Sequence, residues 1–254
     1  IVRTQMRGDR PKGAPANIAV FDHAIAYVPS LDLYLDGTAD GAVSSELPTM
    51  DRSSVALQIN QGKPKLGRLP NPDAEQSPTE RHTDLTLASD GSADFSLSTT
   101  VSGANAIAWR DRYHAEGTRH ERAEQDFAGM VGPFELAKGA TGIVVKDVDA
   151  VEKPVSLAVR GRASSYARTE GETLSVPVAV AINLPGQLAS LSSRKLDLVV
   201  GAKTITTDER VIHVPPGMKV VSLPEAKTVD GPFGSVTLAV ESQTALLSAA
   251  ARAA

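Results

Sequence analysis

Cysteine is absent from all 254 residues. That removes disulfides, thiolate metal sites and any thiol nucleophile from this chain. Aromatic residues are scarce, at 4% with a single Trp, so a core has to be assembled mainly from Val, Leu, Ile and Ala. Positive charge is not in excess: 26 Lys and Arg stand against 30 Asp and Glu, a formal −4. The broad basic surface from which nucleic-acid binding draws its affinity is therefore excluded. No apolar run approaches the roughly 18 residues of a membrane span. There is no phosphate-binding glycine loop, no dinucleotide glycine fingerprint and no Gly-x-Ser-x-Gly elbow, so no cofactor is called for.

What the chain does have is turn chemistry, with 20 Gly and 16 Pro, which points to many short strands and few long helices. Phe21 to Val28 alternates, placing Phe21, His23, Ile25 and Tyr27 on one face of an extended strand. Pro29-Ser30 makes a turn, and Leu31 to Leu35 is a second short strand, antiparallel to the first. From Gln61 to Arg81 prolines and glycines accumulate, reading as a linker or a surface strap. Thr83–Ala88 and Ala93–Val101 form the clearest hairpin, around Asp90-Gly91. Ile107 to Val131 is the helical material, with Gly117 expected to divide it. Further strands are expected at 143–147, 155–161, 173–181, 195–199, 204–214, 219–223 and 235–241. The Ala-rich tail 245–254 reads as a short helix or a frayed end.

The fold class expected is mainly β with minor α: a partial α+β core at 1–60, a Pro-rich linker at 61–81, and an antiparallel β-sheet or sandwich domain with one helical segment at 82–254. Ile1 is not an initiator Met, and Ile1-Val2 reads as the inside of a strand. The expectation is a fragment or processed product of a longer protein, the alternative being an N-terminus left by signal cleavage.

One pair of residues points to chemistry. His23 lies six residues before Pro29, and Asp36 six after Ser30. Hairpin counting sets them side by side, and a carboxylate beside an imidazole fixes its tautomer and raises its basicity, as a general base requires. A purely structural hydrogen bond between neighbouring strands has the same signature. Other candidates are weaker. Arg7-Gly8-Asp9 spells an adhesion tripeptide. His114 and His120 with Glu116 and Glu121 lack the i, i+4 spacing of helical metal ligands and read as a solvated helix face. His82, His213, Trp109 and Tyr113 read as structural. No metal site is recognisable.

The stretch Asp22-His23-Ala24-Ile25 followed by Tyr34-Leu35-Asp36-Gly37-Thr38 resembles the second half of the transglutaminase-like, papain-related core of large bacterial proteins. In that family a His strand is followed by a strand ending in Asp-x-Thr. The resemblance implies a Cys-His-Asp triad with His23 as base and Asp36 as its orienter. The family's Cys opens a helix upstream of the His strand and has no counterpart here. Later features, including Gly103, Ala106 and Arg110 at a helix start and Ser222-Leu223-Pro224, resemble the C-terminal β domain of one multidomain group in that family. The implied activity is that of a cysteine acyltransferase or peptidase, silent in this chain alone. Its partners would be a protein or peptide substrate of the parent, and the missing N-terminal part or another chain covering 1–60. A periplasmic or secreted location fits the lack of Cys. The competing class is a non-enzymatic β-rich binding or assembly module of a bacterial envelope protein.

Overall fold

The computed structural model describes residues 1–5, 17–60, 62–130, 142–178, 186, 191–195, 203–243 and 246–253. Among the described residues strands dominate, with two α-helices, as the mainly β class requires. In the first seventy residues β1 (Val2–Arg3), β4 (Val55–Asn60) and β5 (Lys63–Arg68) form a three-stranded antiparallel sheet, and β2 (Ala26–Val28) pairs with β3 (Leu33–Leu35). Val2, Leu47, Ala56 and Leu69 are buried together there, with Ile25 and Tyr34 packed against them. The 61–81 segment is more structured than a linker. It holds β5, a turn of 3-10 helix at Ala74–Gln76 and the start of β6 (Pro78–Leu87). Pro64 sits on the outer edge of β5, where a missing N–H costs no ladder bond.

Most of the described strands beyond β5 belong to one eight-stranded sheet. Besides β6 it contains β7 (Ala93–Val101), β8 (Val144–Lys146), β9 (Val155–Ala163), β12 (Ile205–His213), β13 (Lys227–Gly231), β14 (Gly234–Gln243) and β15 (Leu246–Ala253). The order is β13-β14-β15-β12-β6-β7-β9-β8. Every neighbour is antiparallel except β12 on β6, a parallel ladder pairing Ile205 with Pro78 through His213 with Thr86. A small separate ribbon pairs β10 (Arg168–Glu170) with β11 (Thr173–Ser175).

Alternation along the strands builds the core. Leu85, Leu87, Phe95, Leu97, Val101, Val155, Leu157 and Val159 are all buried in one apolar cluster, as residues two apart on a pleated strand must share a face. The helices α1 (Ala104–Tyr113) and α2 (Glu116–Met130) add Ala106, Tyr113, Ala123 and Phe127 to it. Phe127 stacks on Phe95 with ring centroids 6.1 Å apart. Asp126 ties the helices together, accepting from the Tyr113 hydroxyl at 2.5 Å and from the Arg112 guanidinium.

Three expectations change. The helical break falls at His114–Ala115, not Gly117, which lies inside α2; Arg119 closes the corner by donating to the Tyr113 and His114 carbonyls. The Ala-rich tail is β15, neither helix nor frayed end, because pairing on both sides outweighs alanine's helix propensity. Residues 219–223 form no ladder, while β13 was not foreseen. Within 195–199 only Lys195 lies among the described residues, 173–181 is described only to Val178, and Arg7-Gly8-Asp9 falls outside them.

Two side chains join the first sixty residues to the large sheet. Gly103 opens α1 at φ +59°, where a Cβ would come within 2.1 Å of the Gln76 carbonyl. Beside it the Ser77 hydroxyl accepts from the Ala104 N–H at 3.1 Å and from Arg52 at 2.9 Å. From the same helix Arg110 reaches back, donating to the carbonyls of Gly41, Val151 and Lys153 at 2.6–2.8 Å.

Candidate functional site

His23 is positioned by backbone pairing rather than by the strand anticipated for it. Its N–H donates to Val2 at 3.1 Å and its carbonyl accepts from Val2 at 2.8 Å, an isolated bridge to β1. Only Ala26–Val28 of the expected 21–28 strand joins the ladder with β3. Asp22 anchors this bridge, accepting from the Thr4 N–H and hydroxyl, both at 2.8 Å. Asp36 lies one residue beyond β3, in the Asp36-Gly37-Thr38 turn. Its Oδ1 accepts from the Thr38 N–H at 2.9 Å and from the Thr38 hydroxyl at 2.8 Å. Thr38 thereby fixes the carboxylate and turns Oδ2 inward.

The structure brings the two residues together: His23 Nε2 stands 3.1 Å from Asp36 Oδ2. The approach is close but off-axis, since neither atom makes a well-aligned hydrogen bond. Such loose alignment is common in catalytic groups before substrate arrives. With Nε2 turned to the carboxylates, Nδ1 is the ring nitrogen left to exchange a proton elsewhere.

Sequence reasoning missed a third member. Asp51 is fully buried, with Oδ2 3.9 Å from His23 Nε2 and neither carboxylate oxygen hydrogen-bonded among the described residues. The turn that carries it is tightly held. Asp51 N–H donates to Pro48 and Ser54 N–H to Asp51, and the Ser54 hydroxyl and Gln5 N–H both bond the Met50 carbonyl. Nothing in the residues around Asp51 marks it, because it arrives from a turn fifteen positions past Asp36 and meets the same ring nitrogen of His23.

The two carboxyls are driven apart electrostatically. Burial pushes the Asp51 carboxyl up to about 6; His23 opposes this, while neighbouring Asp36 adds to it. Asp36 is also raised by burial, but the Thr38 N–H, the Thr38 hydroxyl and then His23 outweigh that and hold it below the ordinary carboxylate value. One carboxylate is thus held below its ordinary value and its neighbour above, at about 6.

Beside the cluster runs an open cleft of about 410 Å³, bordered by Asp36, Asp40, Met50, Ile107 and Asp111. It lies between the turns that carry Asp36 and Asp51 and the outer side of α1. The other histidines stay apart from this site. His82 pairs with Glu209 and His213 with Asp84, both across the parallel β6–β12 ladder. His114 meets the Asp111 carbonyl and His120 meets Glu124, so these two do not converge. Trp109 and Tyr113 contact edge to face at 5.6 Å, with Tyr113 in the core.

Fold and site together define a mainly β chain with a buried His-Asp-Asp cluster at the junction between its small N-terminal sheet and α1. Residues 173–249, from β11 into β15, match the family model described as a domain of unknown function with a solved structure, DUF3858. No curated protein and no solved structure matches the chain. Among the described residues no helix is long and apolar enough to cross a membrane.

Proposed function

We propose that the chain is part of a transglutaminase-like cysteine acyltransferase or peptidase, in which His23 is the proton-transfer base and Asp36 its orienter. The observation that carries this reading is the 3.1 Å approach of Asp36 Oδ2 to His23 Nε2, with Asp36 fixed by Thr38. This leaves Nδ1 to take the proton of a thiol brought by a preceding segment of the parent protein. The thiolate would attack a carbonyl or carboxamide, and His23 would return the proton to the leaving amine. The match to DUF3858, a domain often associated with transglutaminase-like proteins, supports the same reading. So does the slenderness of the N-terminal core, where, among the described residues, four apolar side chains are buried together against eighteen in the large cluster. Residues 1–60 then form the second half of the catalytic core, residues 61–81 the connection and residues 82–254 an accessory domain. A periplasmic or secreted location belongs to the same proposal.

The test uses the longest protein encoded around this segment, assayed for amine incorporation into a glutamine-containing protein and for peptide hydrolysis. Iodoacetamide-sensitive turnover should be abolished by His23→Ala and lowered by about 10⁴-fold in Asp36→Asn, as for the orienting carboxylate of a triad. Turnover unaffected by His23→Ala, or a parent with no cysteine before residue 1, would refute the enzymatic reading and leave the β-rich binding module.

A further inference from the structure

We propose that His23, Asp36 and Asp51 form a three-ligand site for a divalent cation of zinc's size and preferences. The inference is independent of the thiol chemistry proposed above. It rests on the convergence of three buried donor atoms that have no hydrogen-bond partner among the described residues.

The geometry comes first. One donor atom from each residue lies within 4.8 Å of the other two, and the two distances from His23 Nε2 are 3.1 and 3.9 Å. A tetrahedral zinc ion bound about 2.0–2.2 Å from nitrogen and oxygen ligands sets its donors about 3.4 Å apart. The observed spacings bracket that value, so small side-chain rotations suffice to close the shell.

The polar accounting points the same way. His23 Nε2, Asp36 Oδ2 and both oxygens of Asp51 are buried with no hydrogen-bond partner among the described residues. Asp51 is inaccessible to solvent altogether. Unmet groups of this kind are uncommon in folded proteins and call for an explanation such as an ion. A dication answers two carboxylates and one neutral imidazole in charge and in number. Asp36 carries its own support, since Thr38 holds Oδ1 and leaves Oδ2 for the ion, the outer-shell arrangement that orients metal-binding carboxylates. The imidazole donor favours zinc over magnesium or calcium, which prefer all-oxygen shells. The cleft beside Asp36 gives the ion a way in, and Asp40 and Asp111 on its walls attract cations. Occupation would take up Nε2 and the carboxylate that orients it, so in a parent enzyme the bound ion would hold the base out of use.

The test is made on this chain, stripped of metal with a chelator, by calorimetric titration with Zn²⁺ and by the visible spectrum with Co²⁺. One saturable site is expected, with a four-coordinate cobalt spectrum and a zinc-induced shift at Nε2 of His23 in nitrogen NMR. His23→Ala and Asp51→Asn should each weaken binding by more than about tenfold, while His120→Ala, at the exposed pair with Glu124, should leave it unchanged. Circular dichroism confirms that each variant is folded. No saturable binding, or binding retained in both His23→Ala and Asp51→Asn, would overturn the site. The readout involves neither a thiol nor turnover, so its failure and the failure of the triad reading are separate results.

Discussion

Replacing Asp51 by Asn should make the chain more stable at pH 8 and leave it nearly unchanged at pH 4. The side chain is fully buried, and neither of its carboxylate oxygens has a hydrogen-bond partner among the described residues. Burial lifts its pKa from 3.8 to about 6. The folded state therefore binds this proton more tightly than the unfolded chain does. Between those two values the folded protein holds more protons, so the contribution of Asp51 to stability falls as pH rises. Below pH 3.8 the group is neutral in both states and the penalty is absent. Above about pH 6 it is ionised in both, and the penalty is fully expressed. At roughly 1.4 kcal/mol per pH unit, the displacement corresponds to an order of 3 kcal/mol. Asn keeps the shape, carries no charge, and offers an amide that can donate to Asp36. Urea unfolding of both proteins at pH 4 and pH 8, in chelator to keep metal away, measures the difference directly. The opposite pH dependence of Asp36 is common to both proteins and largely cancels. An Asp51→Asn variant less stable than the parent at pH 8, or a difference equal at the two pH values, would refute the reasoning.

Two further outcomes follow from packing. Gly103→Ala should lower stability by about 1–3 kcal/mol or more, since it forces a left-handed conformation on a residue with a side chain and drives its Cβ to 2.1 Å from the Gln76 carbonyl. Thermal unfolding followed by circular dichroism measures this, and an unchanged midpoint would mean that α1 begins differently. Phe127→Ala should cost about 3–5 kcal/mol by opening a cavity against Phe95, read as a lower urea midpoint at constant slope.

Much of the large sheet was legible because alternation survives in it. The β6–β7 hairpin, β9 and β12 all show period-two burial, and the Asp90-Gly91 turn announces itself. The candidate pair was legible for an instructive reason. Counting outward from Pro29-Ser30 sets His23 opposite Asp36, yet the ladder pairs Ala26 with Leu35 and Tyr27 with Tyr34. Continued, that register would place His23 opposite Thr38. An error of two residues keeps every side chain on its own face, so the counting chose the right face from the wrong register. The tail misled because local propensity favours helix for alanine, whereas β15 is specified by strands on either side, which no local window contains. Asp51 was invisible for a similar reason, since its burial is decided by β1, by Gln5 and by the turn at Pro48.

The parallel ladder of β12 on β6 bears on where this chain can be divided. The DUF3858 match starts at residue 173, so it includes β12 but not β6, the strand that completes it. Cut out along that boundary, the matched segment would present nine backbone positions, Ile205 to His213, as a bare edge. His213 would lose Asp84, and Glu209 would lose His82. Such an edge invites pairing with whatever strand comes near. The unit defined by sequence similarity and the unit able to stand alone in water are therefore different lengths of this chain. The shorter one needs a lent strand, from its own preceding segment or from another copy.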